Sequence, residues 1–230
     1  MIDWLLSPLS GAAQHHIADW TSWHARAMVL SWAVLLPLGV LVARFFKTTQ
    51  RWPHQLDSKP WWLAHRSLQY SGIALMSVGV VIAWNQGAAA TDAAQLHGWA
   101  GWAVCTLGWL QVAGGLARGS KGGPTDQQMR GDHYDMTPWR RAFERTHKSL
   151  GWLAVLMAVG VIVLGLWMVD APRWMLLSLA LWWLTLGMAF SVLQARGRCI
   201  DTYQAIWGPN RTHPGNRMPP IGWGVRRPLG

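Results

Sequence analysis

Five stretches of the chain are continuously apolar, at about 23–46, 60–84, 93–117, 146–169 and 172–195, and polar, basic segments separate them. Each run reaches the roughly 20 residues that a helix needs to cross the hydrocarbon core of a bilayer. The pattern predicts an all-α membrane protein, a five-span helix bundle. It divides the chain into an outer lead (1–22), a transmembrane domain (23–196) and a cytoplasmic Pro/Gly-rich basic tail (197–230).

Local signals place the ends of these helices. Asp19 or Thr21 can cap the first. Pro37 inside it predicts a kink, tolerated where a neighbouring helix satisfies the freed carbonyl. Pro60 suits the first turn of the second helix, and the third begins around Thr91-Asp92 after the outer loop Asn85–Gln95. The connector Arg118–Met136 is rich in Gly, Asp and Gln, and Thr137-Pro138 then starts the fourth helix. The charged opening of that helix, through Lys148, is expected in or beyond the membrane interface. Pro172 precedes the fifth, a packing helix or one leg of a dimer contact.

The third run carries candidate chemistry. Wound as a helix, it sets His97, Gly101, Gly108 and Gly115 on one face, at i, i+4, i+11 and i+18. A nitrogen ligand beside a groove without side chains suits a flat ligand such as haem, and equally a glycine lane for helix packing. Other runs repeat the arrangement, with His147, Gly151 and Gly165 in the fourth and His65, Gly72 and Gly79 in the second.

Charge orients the spans. The formal net charge is +10, and with alternating spans only Arg26 and Arg173 fall on the side of the N-terminus, leaving eighteen of the twenty Lys and Arg on the other. By the positive-inside rule that side is cytoplasmic. The expectation is a multi-pass inner (plasma) membrane protein with its N-terminus outside and its C-terminus inside. Such a charge distribution fits membrane lipid and not nucleic acid. Residues 1–22 lack the basic start and apolar stretch of a cleavable signal, so the first helix is expected to insert itself. Cys105 lies mid-span and Cys199 at a span end, too far apart for a disulfide. The tail reads as irregular and held at the anionic leaflet by charge.

Alternation then sorts the histidines. His24 and His97 stand near the outer starts of the first and third helices, and His65 and His147 near the inner starts of the second and fourth. A histidine inside a span is costly and usually functional, and four sorted two and two by depth make two sites. Two imidazoles fall short of the four ligands zinc wants but fill both axial positions of a haem b, favouring electron transfer. His15, His16, His54, His133 and His213 receive no role.

The spans bearing these histidines resemble the cytochrome b561 family over about 23–196. The first helix, His-Ala-Arg-Ala-Met through Ala-Arg-Phe-Phe-Lys, is similar to the branch fused to DOMON domains. Gln95-Leu96-His97-Gly98-Trp99 resembles the family's Ser-Leu-His-Ser-Trp with both serines replaced. The resemblance implies two haems b, with iron held by His24 and His97 on the outer side and by His65 and His147 on the cytoplasmic side. It further implies electron transfer from a cytoplasmic reductant, ascorbate-like or quinol, to an outer acceptor such as a ferric chelate or monodehydroascorbate. A homodimer and a periplasmic redox partner are the protein partners considered. Arg44 and Lys47 sit where the family's basic cytoplasmic motif falls, to attract an anionic donor or pair with haem propionates, or simply to snorkel. Two other readings compete: a quinone-linked haem b anchor subunit, and a haem-free proton-coupled transporter, which would need acidic relay groups that the apolar runs lack.

Overall fold

The computed structural model of the chain describes residues 1–11, 17–84, 86, 91–118 and 138–230. His15, His16, Asn85, His133, Thr137 and the connector from 119 to 136 lie outside the described residues. The helices follow the apolar runs closely: α1 (Ile2–Leu6), α2 (Asp19–Phe45), α3 (Pro60–Trp84), α4 (Asp92–Leu116), α5 (Pro138–Met168), α6 (Arg173–Ala195) and the short α7 (Gln204–Trp207). Among the described residues, α2, α3, α5 and α6 are long and apolar enough to cross a membrane. The fold is that of an all-α membrane helix bundle. Helix α4 matches α3 in length at 25 residues. Gln95, His97, Gln111, its glycines and its tryptophans keep it less apolar than the other four.

Pro60 opens α3, and the Thr91 hydroxyl caps α4 by accepting the Ala94 N–H at 3.2 Å. The start of α2 differs from expectation. Ala18 precedes its first turn, neither Asp19 nor Thr21 caps it, and Asp19 lies inside that turn, where a carboxylate favours the helix dipole.

The chain packs as two compact units. One comprises 1–37, 68–109 and 152–188, the other 38–67, 110–151 and 189–230. The first unit is built on Trp32, Ala33, Leu36, Met76, Val104 and Cys105, all buried. Here Pro37 acts on its own helix: lacking an N–H, it frees the Ala33 carbonyl one turn back, and the preceding residues Leu30–Leu35 widen into a π-helical turn. Trp182 of α6 donates its indole N–H to that carbonyl at 2.7 Å. The lead packs into the same unit. Leu9 N–H donates to the Ala171 carbonyl at 3.1 Å, Arg173 donates to the Ser7 hydroxyl at 2.9 Å, and Ser10 donates to Asp170. Helix α6 has no buried residue and exposes Leu177, Leu181, Leu184 and Met188 on successive turns. In water that stripe would be an unpartnered apolar patch; a membrane helix can carry one.

In the second unit the tail departs from expectation. It is irregular in secondary structure, yet it packs a core of its own, with Tyr203, Trp207 and Ile221 buried. Asp201, fully buried, accepts from the Tyr203 and Gln204 N–H groups and from the Arg227 guanidinium at 3.1 Å. The charged opening of α5 faces this core. Arg140 donates to the Tyr203 hydroxyl at 3.1 Å, and Lys148 donates to the Ile221 carbonyl at 2.9 Å while pairing with the buried Glu144 at 2.8 Å. Charges of this kind stay in the interior only when paired and hydrogen-bonded, so these protein contacts hold the tail against the opening of α5. Cys105 and Cys199 are both free and buried.

Candidate functional site

The first unit brings His24 of α2 and His97 of α4 together. Their ring centres stand 6.3 Å apart with the planes at 74°. Metal–imidazole nitrogen bonds of about 2.0–2.1 Å put two rings bound end-on to one ion at a comparable centre separation. His24 donates its Nδ1–H to the Gly79 carbonyl at 2.9 Å. The donation leaves Nε2 with a bare lone pair, the tautomer a metal ligand needs.

His97 is held differently. Its Nδ1 is buried and faces the backbone carbonyl of Val161 on α5, short of ideal hydrogen-bond geometry. The ring lies against the backbone of Gly165 on α5, where an added Cβ would stand 2.9 Å from Cε1. The glycine lane read from α4 divides. A Cβ at Gly108 would strike Ile73 and Trp32, so Gly108 serves helix packing, whereas a Cβ at Gly101 or Gly115 would meet nothing within 4 Å. Gly101, one turn from His97, thus keeps the cradle that a flat group beside the imidazole requires. Two facing imidazoles, each with Nδ1 toward a backbone carbonyl, and an unfilled cradle at Gly101 fit a haem at this pair.

The second unit holds His65 of α3 and His147 of α5, within electrostatic range of one another. His65 donates Nδ1–H to the Gly39 carbonyl at 2.9 Å, repeating the His24 arrangement. The Trp62 ring lies 6.0 Å from His65 and the Phe143 ring 5.0 Å from His147, giving both imidazoles an aromatic wall. His147 meets the side chain of Gln111 on α4. Among the described residues no group of three or more His, Cys, Asp or Glu side chains could hold a metal ion.

Arg44 and Lys47 are committed to the tail. Arg44 donates to Gln194 Oε1 at 2.9 Å and to the Trp223 carbonyl at 2.8 Å, and it lies over the Phe190 and Trp223 rings. Lys47 is buried and donates to the Ile200 carbonyl at 3.1 Å. Burial, with Lys148 nearby, pulls its ammonium down to about 8. Sequence reasoning missed Gln111, Gly165 as the seat of His97, and the Gly39 and Gly79 carbonyls. Gln111 left a signal as an amide inside an apolar run and Gly165 as part of a glycine face; a carbonyl acceptor leaves none, because every residue has one.

A family model described as eukaryotic cytochrome b561 matches residues 23–173. The chain belongs to the cytochrome b561 family. Members of this family are membrane electron-transport proteins that bind haem b. The match ends at Arg173, so it takes in all four histidines and stops at the start of α6. Ferric-chelate reductase 1 of Homo sapiens is 30% identical over 149 residues, covering 65% of this chain and 22% of the relative. The Bos taurus protein of the same name is 29% identical over 150 residues, again 65% and 22%. A cytochrome b561 and DOMON domain-containing protein of Arabidopsis thaliana is 26% identical over 148 residues, 62% of this chain and 27% of the relative. The chain spans about a quarter of the length of these curated relatives. No solved structure matches it significantly.

Proposed function

We propose that this b561-family chain carries electrons across a membrane through two haems b, one held by His24 and His97 and one by His65 and His147. The observation that carries the reading is the 6.3 Å approach of His24 and His97, with Nε2 of His24 left bare by the Nδ1 bond to Gly79. A haem held by two imidazoles would supply reversible one-electron exchange. The protein's part is to fix the ligands. Gly79 and Gly39 set the tautomers of His24 and His65, and Gly165 seats His97.

With the basic segments cytoplasmic and the N-terminus outside, electrons enter beside His65 and His147 and leave beside His24 and His97. The donor is then a small cytoplasmic reductant, ascorbate-like or a quinol. The acceptor outside is of the ferric-chelate or monodehydroascorbate type, the former supported by the names of the animal relatives. A homodimer through the exposed stripe of α6 and a periplasmic redox partner belong to the same reading.

The test is the reduced-minus-oxidised visible spectrum of the detergent-purified chain, with haem counted per polypeptide. Two low-spin haems b per chain are expected. A colourless chain after expression with ample porphyrin would overturn the reading. Reconstitution with an ascorbate or quinol donor inside and a ferric chelate outside then tests direction, turnover without another protein being the expected result.

A further inference from the structure

Gln111 is a polar side chain in direct contact with a candidate ligand, His147, and the electron-transfer reading gives it no task. Its carboxamide meets a single turn of α5. Nε2 donates to His147 Nδ1 at 2.7 Å and to the His147 carbonyl at 3.1 Å, while Oε1 accepts the Gly151 N–H at 3.2 Å. The two backbone contacts are supplementary, because a carbonyl and an N–H four residues apart already pair inside an α-helix. The short bond to Nδ1 is the contact with no substitute.

That bond separates His147 from the other candidate ligands. His24 and His65 face backbone carbonyls, which can only accept, so the ring proton is fixed on Nδ1. An amide can donate or accept. With the Gln111 nitrogen toward the ring, the proton of a neutral His147 sits on Nε2. A metal at Nε2 displaces it to Nδ1, where the amide oxygen, brought round by rotation of the side chain, is the acceptor within reach.

We propose that Gln111 is a positioning residue for His147: its amide follows the ring proton and accepts from Nδ1–H when Nε2 is committed to iron, thereby orienting the ring and raising its basicity. The proposal rests on the assignment of His147 as a haem ligand. Acceptors behind a ligating histidine raise its electron donation, which stabilises the oxidised metal and lowers its potential. Changing this one acceptor moves one haem.

The experiment uses the full chain carrying Gln111→Glu or Gln111→Leu, with haem counted and both midpoint potentials measured by spectroelectrochemical titration. The single-histidine variants tell the two haems apart. A carboxylate accepts more strongly than an amide and leucine does not accept at all. The His65/His147 haem therefore shifts to lower potential in Gln111→Glu and to higher potential in Gln111→Leu, while the His24/His97 haem stays in place. Shifts of the same sign, equal shifts of both haems, or no shift would overturn the proposal. If Gln111→Leu fails to assemble, the sign and site of the Gln111→Glu shift decide. Failure of the underlying reading shows separately, as retention of both haems by His147→Ala.

Discussion

The two histidine pairs repeat one topological idea in different surroundings. In the first unit, His24 and His97 lie among apolar and glycine positions, with Nδ1 of His24 on the Gly79 carbonyl and Nδ1 of His97 facing that of Val161. In the second, aromatic rings and an amide contact His65 and His147, and Lys47, Glu144 and Lys148 engage the folded tail in the same unit. The difference teaches that pairing and tuning are separate problems. Alternating helices suffice to pair the ligands, whereas the groups behind each ring set how strongly it donates. Two sites of the same ligand type can therefore differ in potential.

Ligand removal gives the largest effect. His24→Ala or His97→Ala should take the haem count from two to one and spare the His65/His147 site, and His65→Ala or His147→Ala should do the converse. His54→Ala should lose neither. Loss of both haems from every single substitution would erase the distinction between the units.

The tail comes next. Asp201→Ala leaves the buried Arg227 guanidinium without its carboxylate and three backbone N–H groups without an acceptor. Breaking a buried ion pair in this way costs about 3–5 kcal/mol. Proteolysis in detergent should open residues 197–230 in the variant, and the haem of the first unit should persist in its spectrum. Simultaneous loss of both haems would show that the units do not stand separately.

A smaller effect is expected at Gly165. In Gly165→Ala the new methyl must push the His97 ring, since its Cβ would lie 2.9 Å from Cε1. Lowered occupancy of the His24/His97 haem, with the other unchanged, is the expected outcome, read from the haem count and the ferric low-spin EPR signals.

The smallest effect concerns pH. Lys47 titrates near 8 in the folded chain against 10.5 unfolded, so between those values the unfolded state binds more protons and stability rises with pH. Tyr203, raised by burial above its ordinary 10, acts in the opposite direction only above that value. From pH 8 to 10 the thermal midpoint of the wild-type chain should therefore rise relative to Lys47→Met, whose own profile lacks this contribution. Parallel profiles would mean that Lys47 is not carried as a buried ammonium.

The chain's own order of residues determined the helices and which of them carry the four histidines. Apolar runs of membrane length, Pro60 and Pro172 at helix starts, and the alternation of direction are local or topological facts that survive any detail of packing. Arg44 and Lys47 show the limit: their position near a span end is legible, but whether they meet a ligand, lipid or protein depends on residues some 150 positions away. Only the tertiary structure decided that the basic tail packs around Asp201, that Trp182 satisfies the carbonyl freed by Pro37, and that backbone carbonyls and a glutamine stand behind the imidazoles. The reason is physical. Periodicity and charge act along one helix and leave their mark in neighbouring residues, while a hydrogen bond between distant segments depends on which atoms the fold brings within 3 Å, and a backbone carbonyl carries no mark in sequence at all.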